Sequence, residues 1–565
     1  MDYTNPFQLP IYYQSNLHPI HSHVAKDLEL IQDDLSKNSI YDHVLQPSHI
    51  FSQNVMNQWT GVFTSNVEFL NETQQVIQEY FETDKPEPDH NKIHLIWKEI
   101  KEDKDFIERY GYMEWDFLKH LNQSSTFLQC FSIIQIISPL LSLMIPFFIL
   151  FFPFLLLFIQ GYTITFETYL ITLKTIAKNH FIGKLLNIRS LNSANLLYLI
   201  ISIVFYFFSI YQNCISTIRF YTHIRTITDN LYSLKNYLIY VKGRMLSFFE
   251  KHSQKKTYTN FCKEIKNHYD KIHSWIKKLD FIKPFSHSIQ QTNTIGEMLK
   301  LYYELYILEP LQTSIQYSFG FEGYMDHLRG ISLHIREKNT SFSQFSDSES
   351  TTIENEIYPC HLHQGAVKNN LSLEKNILIT GPNASGKTTL LKATTINIIF
   401  SQQFGCGFYS RAIIRPYTHI HSYLNIPDTS GRDSLFQAES RRCKDILEQV
   451  ENSASDSQHL CIFDELYSGT NYTEAVKSAT AFLKYLSKNS NVDYLLTTHY
   501  TKLCKNLKRE KKVSLLKMDV HVSPLGELCY LYRVKKGISY VEGASAVLKE
   551  MNYPQEILDD LRPSQ

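Results

Sequence analysis

The 565-residue chain has no net charge, with Lys plus Arg and Asp plus Glu at 56 each. Bulk electrostatics therefore single out no nucleic-acid, membrane or acidic partner. Its nine cysteines form no CxxC pair and follow no regular spacing, which excludes a disulfide or zinc framework and predicts free thiols in a reducing compartment. The N-terminus, MDYTNPFQLPIYYQ, lacks the basic start and early apolar core of a signal peptide, so an intracellular protein is expected. No internal repeat is present. What the chain does have is length for about three parts and an uneven spread of charge. Residues 1–110 hold 18 acidic and 8 basic side chains, whereas residues 219–284 hold 14 basic and 5 acidic ones.

Two runs are almost wholly apolar and uncharged, Phe131–Ile159 and Leu196–Tyr211. Both read as membrane segments. The competing reading is a buried helical hairpin, but a run apolar on every face would need a larger core than this chain offers. Pro139, Pro146 and Pro153 fall seven apart, on one face of a helix, where they could kink it or make a re-entrant hairpin. Lys174, Lys178, Lys184 and Arg189 in the connecting segment sit awkwardly with an outside loop. From 214 to 335 apolar residues recur at threes and fours, which predicts a long polar helical arm. Its basic excess fits nucleic-acid phosphates, anionic lipid heads or a plain solvated face. The Ser/Thr-rich stretch 339–352 reads as a loop or linker.

In KNILITGPNASGKTTLL an apolar strand ends at Thr380, a Gly-rich turn follows and a helix begins near Gly386. This is a complete Walker A pattern. Gly381 and Gly386 let backbone N–H groups close on phosphate oxygens, and the helix N-terminus adds its positive dipole. Lys387 is placed to pair with the β- and γ-phosphates and Thr388 to put its hydroxyl on Mg²⁺. About 75 residues on, HLCIFDEL is a strand ending in Asp464, a metal ligand, and Glu465, which would orient or deprotonate the attacking water. YLLTTH is a further strand ending at His499, whose imidazole would sense or stabilise the γ-phosphate. Three such motifs at strand C-termini form one site in a parallel α/β sheet.

The motifs GPNASGKTTLLK, SGRDSLFQAES, FDELYSGTNYTEA and TTHY, in that order and spacing, resemble the C-terminal ATPase domain of the MutS family. The closing stretch YRVKKGISYVEGASAVLKEMNYPQEIL resembles the family's last strand and helices, used for dimerisation. The resemblance implies ATP and Mg²⁺ as cofactors. It implies a phosphate cradle of Gly381, Pro382, Asn383, Ala384, Ser385, Gly386, Lys387, Thr388 and Thr389, with Thr388 and Asp464 at the metal. Lys387, Glu465 and His499 are the implied catalytic residues. Ser434 matches the serine that reaches the partner subunit's nucleotide, so a composite site in a homodimer, or a heterodimer with a paralogue, is implied. Tyr358 and Pro359 match residues near the adenine. Departures are equally clear: the acidic N-terminal region has no counterpart of the mismatch-reading domain, and the chain stops at Gln565 with no nuclease domain expected. The apolar runs resemble a divergent membrane-segment-containing group within the family.

The expected architecture is an acidic, mainly helical region (1–125), two membrane segments (131–159 and 196–211, within 126–213), an all-α lever or arm (214–340), a linker (341–354), an α/β P-loop ATPase domain of mixed sheet with flanking helices (355–545) and a dimerisation segment (546–565). The expected function is a MutS-like ATPase that binds DNA, with mismatch repair implied by family alone. The alternative is a membrane-tethered mechanochemical ATPase acting on a membrane or protein partner, its ATPase domain facing the cytosol. A transporter engine would carry an LSGGQ-like signature where this chain has SGRDS.

Overall fold

A computed structural model of the chain describes residues 6–31, 39–80, 86–177, 193–286, 292–424, 426, 434–523, 528–541, 543, 548, 551, 553–554 and 556–557. Lys178, Lys184, Arg189, residues 430–433 of the SGRDS motif and most of the 546–565 segment lie outside them. The chain packs as two compact units: residues 1–86, 243–269 and 316–565 form the first, and residues 87–242 and 270–315 the second.

The first unit is built on two sheets. Strands β1 (Leu17–Pro19) and β2 (Val62–Thr64) pair beside them. The smaller sheet holds β3 (Ser341–Phe345), β4 (Thr352–Glu356), β5 (Asn369–Ser372), β7 (Cys406–Gly407) and β8 (Arg411–Ile414), in the order β5-β4-β8-β3-β7. The stretch read as a linker therefore supplies two strands. Its turn-rich composition hid short apolar positions, and Ile353 is buried in the sheet. The larger sheet contains β6 (Asn376–Thr380), β9 (His419–Tyr423), β10 (His459–Asp464), β11 (Val492–Thr498), β12 (Val513–Val522) and β13 (Leu528–Lys536), ordered β13-β12-β6-β11-β10-β9. All are parallel except the edge strand β13. Parallel strands are covered on both faces and so read as continuous apolar runs; Ile377, Leu378 and Ile379 are buried, as are Leu460 to Phe463.

The Lys387–Phe404 helix that follows β6 is buried along nearly its whole length. Its last turns are polar, and buried amides must find partners. Gln403 donates to the carbonyls of Trp59 and Val62, both at 2.6 Å, and accepts from Tyr41 Oη at 2.8 Å. Gln402 donates to the carbonyls of Thr64 and Tyr417. The N-terminal segment is thus hydrogen-bonded to the back of this helix. It also packs on the Glu309–Arg336 helix through glycines: a Cβ at Gly323 would stand 2.5 Å from the carbonyl oxygen of Phe51, so no side chain fits there.

A group of histidines joins the same segment to the sheet edge. His419 and His459 are opposed across β9 and β10 and stack at 4.5 Å, while His421 and His459 share a hydrogen bond of 2.9 Å. His21 and His23 stack on each other at 5.6 Å, and both act electrostatically on His421. Burial pulls His23 and His459 down to about 4, so both are neutral near pH 7.

Acidic side chains of residues 68–79 meet part of the basic arm. Lys256 Nζ lies 3.2 Å from Glu68, the Lys256 and Thr257 amides donate to Glu72, and Lys255 lies 3.6 Å from Glu79. These lysines are not a bare phosphate-binding patch.

The second unit is helical. Two of its helices, Ser125–Ile159 and the part of Ser193–His252 up to Lys242, are long and apolar enough to cross a membrane by length and composition. At 1.5 Å per residue the first measures about 52 Å, against a hydrocarbon core of about 30 Å. The uncharged part of the second extends from Ser193 to Ile218, ten residues beyond the apolar core of 16. Their large side chains face outward: Phe147 is 60 % and Phe205 66 % exposed. The three prolines lie inside one continuous helix rather than breaking it into a re-entrant pair. Pro139 has no N–H to give the carbonyl of Gln135, one turn back. That oxygen accepts instead from Thr217 Oγ1 of the neighbouring helix at 2.9 Å and from Ser138 Oγ at 3.0 Å. Asn213 bonds Ser142, and Tyr206 Oη donates to the Leu143 carbonyl. The foot of the first helix is fixed at Gly296, where a Cβ would lie 2.2 Å from the Ser125 carbonyl oxygen; Gln129 accepts from the Gly296 N–H.

Candidate nucleotide site

The loop 381–386 joins β6 to the Lys387–Phe404 helix at the C-terminal edge of the parallel sheet. Two conformations make the loop tight. Ala384 and Gly386 have φ of 62° and 89°, and a Cβ at Gly386 would lie 3.1 Å from the Tyr532 ring. Gly386 is also the N-cap and offers no side chain to the first helical turn. The free N–H groups there suit an anion. The loop walls a cavity of about 540 Å³ that also reaches Tyr358, Asp464 and Glu465.

Lys387 is buried, and its ammonium donates to the carbonyls of Gly381 at 3.0 Å and Pro382 at 3.2 Å. Burial pulls its pKa down, against the opposing pull of Glu465 and Asp464. Thr388 Oγ1 donates to Asp464 Oδ2 at 2.7 Å, and Thr497 Oγ1 bonds the other carboxylate oxygen. Thr388 and Asp464 thus present one hydroxyl and one carboxylate side by side, a hard oxygen pair suited to Mg²⁺. Glu465 has φ of 52°, and its carboxylate is 3.2 Å from His499 Nδ1. That hydrogen bond lowers the Glu465 pKa first, burial opposes it, and the charges of His499 and Lys387 add to the lowering. The buried Ser385 hydroxyl has no partner among the described residues, as expected of a group waiting for a ligand oxygen. Charge, hydroxyls and space all fit a nucleotide triphosphate with its metal.

Asn383, Ala384, Ser385, Gly386, Lys387, Thr388, Thr389, Asp464, Glu465 and Tyr358 line the cavity. Gly381 and Pro382 take part through the carbonyls that hold Lys387, and His499 through Glu465. Pro359 opens a short 3₁₀ turn and does not line the cavity. Ser434 is not in it either: it caps the Leu435–Asn452 helix in a reciprocal capping box with Gln437. Glu439 of that helix accepts from the Ser468 and Gly469 amides at 3.0 and 3.1 Å, tying the SLFQAES motif to the loop after Glu465.

Several lining residues were not among the expected site residues, Tyr532 and Glu356 with them. Tyr532 comes from β13 and packs on Gly386. Glu356 sits in the polar stretch TIENE, yet is buried, bonded by Thr394 Oγ1 at 2.9 Å and pushed up to about 8 by burial. Only the tertiary structure reveals either.

Residues 377–564 match MutS domain V, an ATPase domain. The DNA mismatch repair protein MutS of Staphylococcus haemolyticus (strain JCSC1435) is 28% identical over 247 residues, covering 42% of this chain and 27% of that protein. The Endonuclease MutS2 of Streptococcus equi subsp. equi (strain 4047) is 30% identical over 217 residues, 38% of this chain and 27% of the relative. That of Streptococcus thermophilus (strain ATCC BAA-491 / LMD-9) is 29% identical over 211 residues, 37% and 26% respectively. The chain spans about a quarter of the length of these curated relatives. The family match and the assembled strand ends agree: this chain carries at its C-terminus a domain of the MutS family.

Proposed function

We propose that the protein is a MutS-type ATPase that binds Mg²⁺ and ATP at the 381–389 loop, hydrolyses ATP with Glu465, works as a dimer and is anchored in a bilayer by residues 131–211. The observation that carries the ATPase reading is the meeting of Lys387, Thr388, Asp464, Glu465 and His499 from three neighbouring strand ends around one cavity. In this reading the loop amides and Asn383 cradle the phosphates, and Lys387 exchanges its two carbonyl partners for β- and γ-phosphate oxygens. Thr388 and Asp464 hold Mg²⁺, which neutralises charge on the phosphates when bound. Glu465, kept ionised by His499, orients water and accepts its proton as the water oxygen bonds the γ-phosphorus; the bond to the bridging oxygen breaks, leaving ADP and phosphate. His499 senses the γ-phosphate. Ser434, at an exposed helix N-terminus, is offered to the nucleotide of a second chain, identical or paralogous, so that ATP binding favours the closed pair.

DNA is the second reading for the ligand that closure acts on. It is favoured by the names of the relatives, a DNA mismatch repair protein and an endonuclease. Action on the membrane or a protein partner is favoured by the outward-facing apolar helices. Turnover of ATP by the detergent-solubilised chain tests both, with and without duplex, mismatched or branched DNA and added lipid. Mg²⁺-dependent turnover that falls at least about 10²-fold in Lys387→Ala is expected; turnover unchanged in that variant would contradict the site. Stimulation by one DNA form would select the DNA reading, and stimulation by lipid alone the membrane reading.

A further inference from the structure

The second unit contains a cavity of about 310 Å³ where the second long apolar helix leaves its uncharged stretch, beside Ile136 of the first. Ile136 of the first helix and Thr217, Phe220, Tyr221 and Ile224 of the second form one side. Phe281, Phe285, Ile295 and Met298 form another. The lining is mainly apolar, and it is not a closed core void, since Tyr221 is 43 % exposed. Two further features say what would fill it. Ile136, which lines the cavity, is also 41 % exposed and belongs to the outer apolar surface of the first helix. Its rim carries Lys283, and Arg225 lies on the turn of the second helix that holds Ile224. Both cations are exposed, and neither has an acidic partner among the described residues.

We propose that this cavity binds one anionic glycerophospholipid, with acyl methylenes against Phe220, Ile224 and Phe281 and the phosphate facing Lys283. The inference rests on the membrane reading above and deepens it: the protein is fastened to its bilayer by a bound lipid as well as by two spans. Burial of each methylene is favourable by the hydrophobic effect, which holds the tail. A cation at an anionic surface supplies the headgroup preference. Pockets of this size with a few placed polar groups are the usual form of small-ligand sites.

The test uses the full-length chain reconstituted in vesicles of phosphatidylcholine with one-fifth phosphatidylglycerol, released into detergent and weighed by native mass spectrometry. The wild type should retain one phosphatidylglycerol per chain. Lys283→Glu, at an exposed position that should not disturb folding, should lower the preference for phosphatidylglycerol over phosphatidylcholine about fivefold or more. Ile224→Trp, which fills the cavity, should lower retention of both lipids. Carbonate washing of the vesicles separates the two ideas. A chain that stays in the membrane, with lipid retention unmoved by both substitutions, would overturn the lipid site alone. A chain that carbonate releases would overturn the membrane reading and this proposal with it.

Discussion

The parallel sheet and the pair of long helices have nearly the same apolar character and opposite surroundings. Ile377, Leu378 and Ile379 in β6 are buried between layers, whereas Phe147 and Phe205 stand largely exposed on helices. The difference teaches that apolar composition alone does not define a core. In the central strands of the sheet the apolar side chains are buried against one another, and the strand ends are left to carry polar chemistry. In the helices the carbonyl freed by Pro139 is bonded by Ser138 and by Thr217 of the neighbouring helix, and it is the outer surface that is left exposed. That is the arrangement a bilayer requires.

Putting charge on that outer surface gives the largest effect. Phe147→Arg combined with Phe205→Arg should remove the chain from the carbonate-resistant membrane fraction, because each central cation costs about 2.5–3.5 kcal/mol in the hydrocarbon. If instead the pair were a soluble surface, the double variant would fractionate as the wild type does. The same change made in β6, Leu378→Arg, should stop the first unit from folding in any solvent.

A smaller effect is the pH dependence of the first unit. His23 and His459 have folded pKa values lowered by burial to about 4, below the 6.5 of an unfolded chain. The unfolded state therefore binds more protons as pH falls. Stability of the first unit should be complete above pH 6.5 and decline toward pH 4. Thermal unfolding followed across this range should show the decline, and His459→Gln should flatten it; an equally steep decline in that variant would exclude this histidine group as the source.

The smallest effect concerns the Pro139 device. Thr217→Val leaves the Gln135 carbonyl with one acceptor contact fewer and should destabilise the helix pair by about 0.6–1.7 kcal/mol in a detergent unfolding titration. In a Pro139→Ala background the same substitution should cost less, because the backbone N–H returns. Equal costs in both backgrounds would show that the hydroxyl does not compensate the proline.

How much of this was readable from the residues divides along the same line. The Gly381–Thr389 loop, the Asp464–Glu465 pair and His499 were legible because each is short, local and fixed to a strand end by backbone geometry. The apolar helices were legible by run length, though the second helix proved longer than its apolar core suggested. Nothing local marked the packing of Tyr532 on Gly386, the burial of Glu356 or the bonds of Gln402 and Gln403 to the N-terminal segment. Each depends on residues more than a hundred positions away or on burial of a polar side chain that looks solvated in sequence. The 341–354 stretch misled for the opposite reason: Ser and Thr are common in turns but also make good sheet residues once a neighbouring strand is present. Within the basic excess of the arm, Lys255 and Lys256 are engaged by Glu68, Glu72 and Glu79, neighbours that only the tertiary structure brings to them.

The comparison turns finally on whether the polar strand ends do the chemistry that the buried sheet positions them for. The most direct test is ATP hydrolysis and ATP binding measured together in Glu465→Gln, in detergent with Mg²⁺. The account predicts retained ATP binding with turnover reduced by about 10²–10⁴-fold, as for loss of a positioned general base. Turnover equal to that of the wild type would contradict it and remove Glu465, and the pairing with His499, from catalysis.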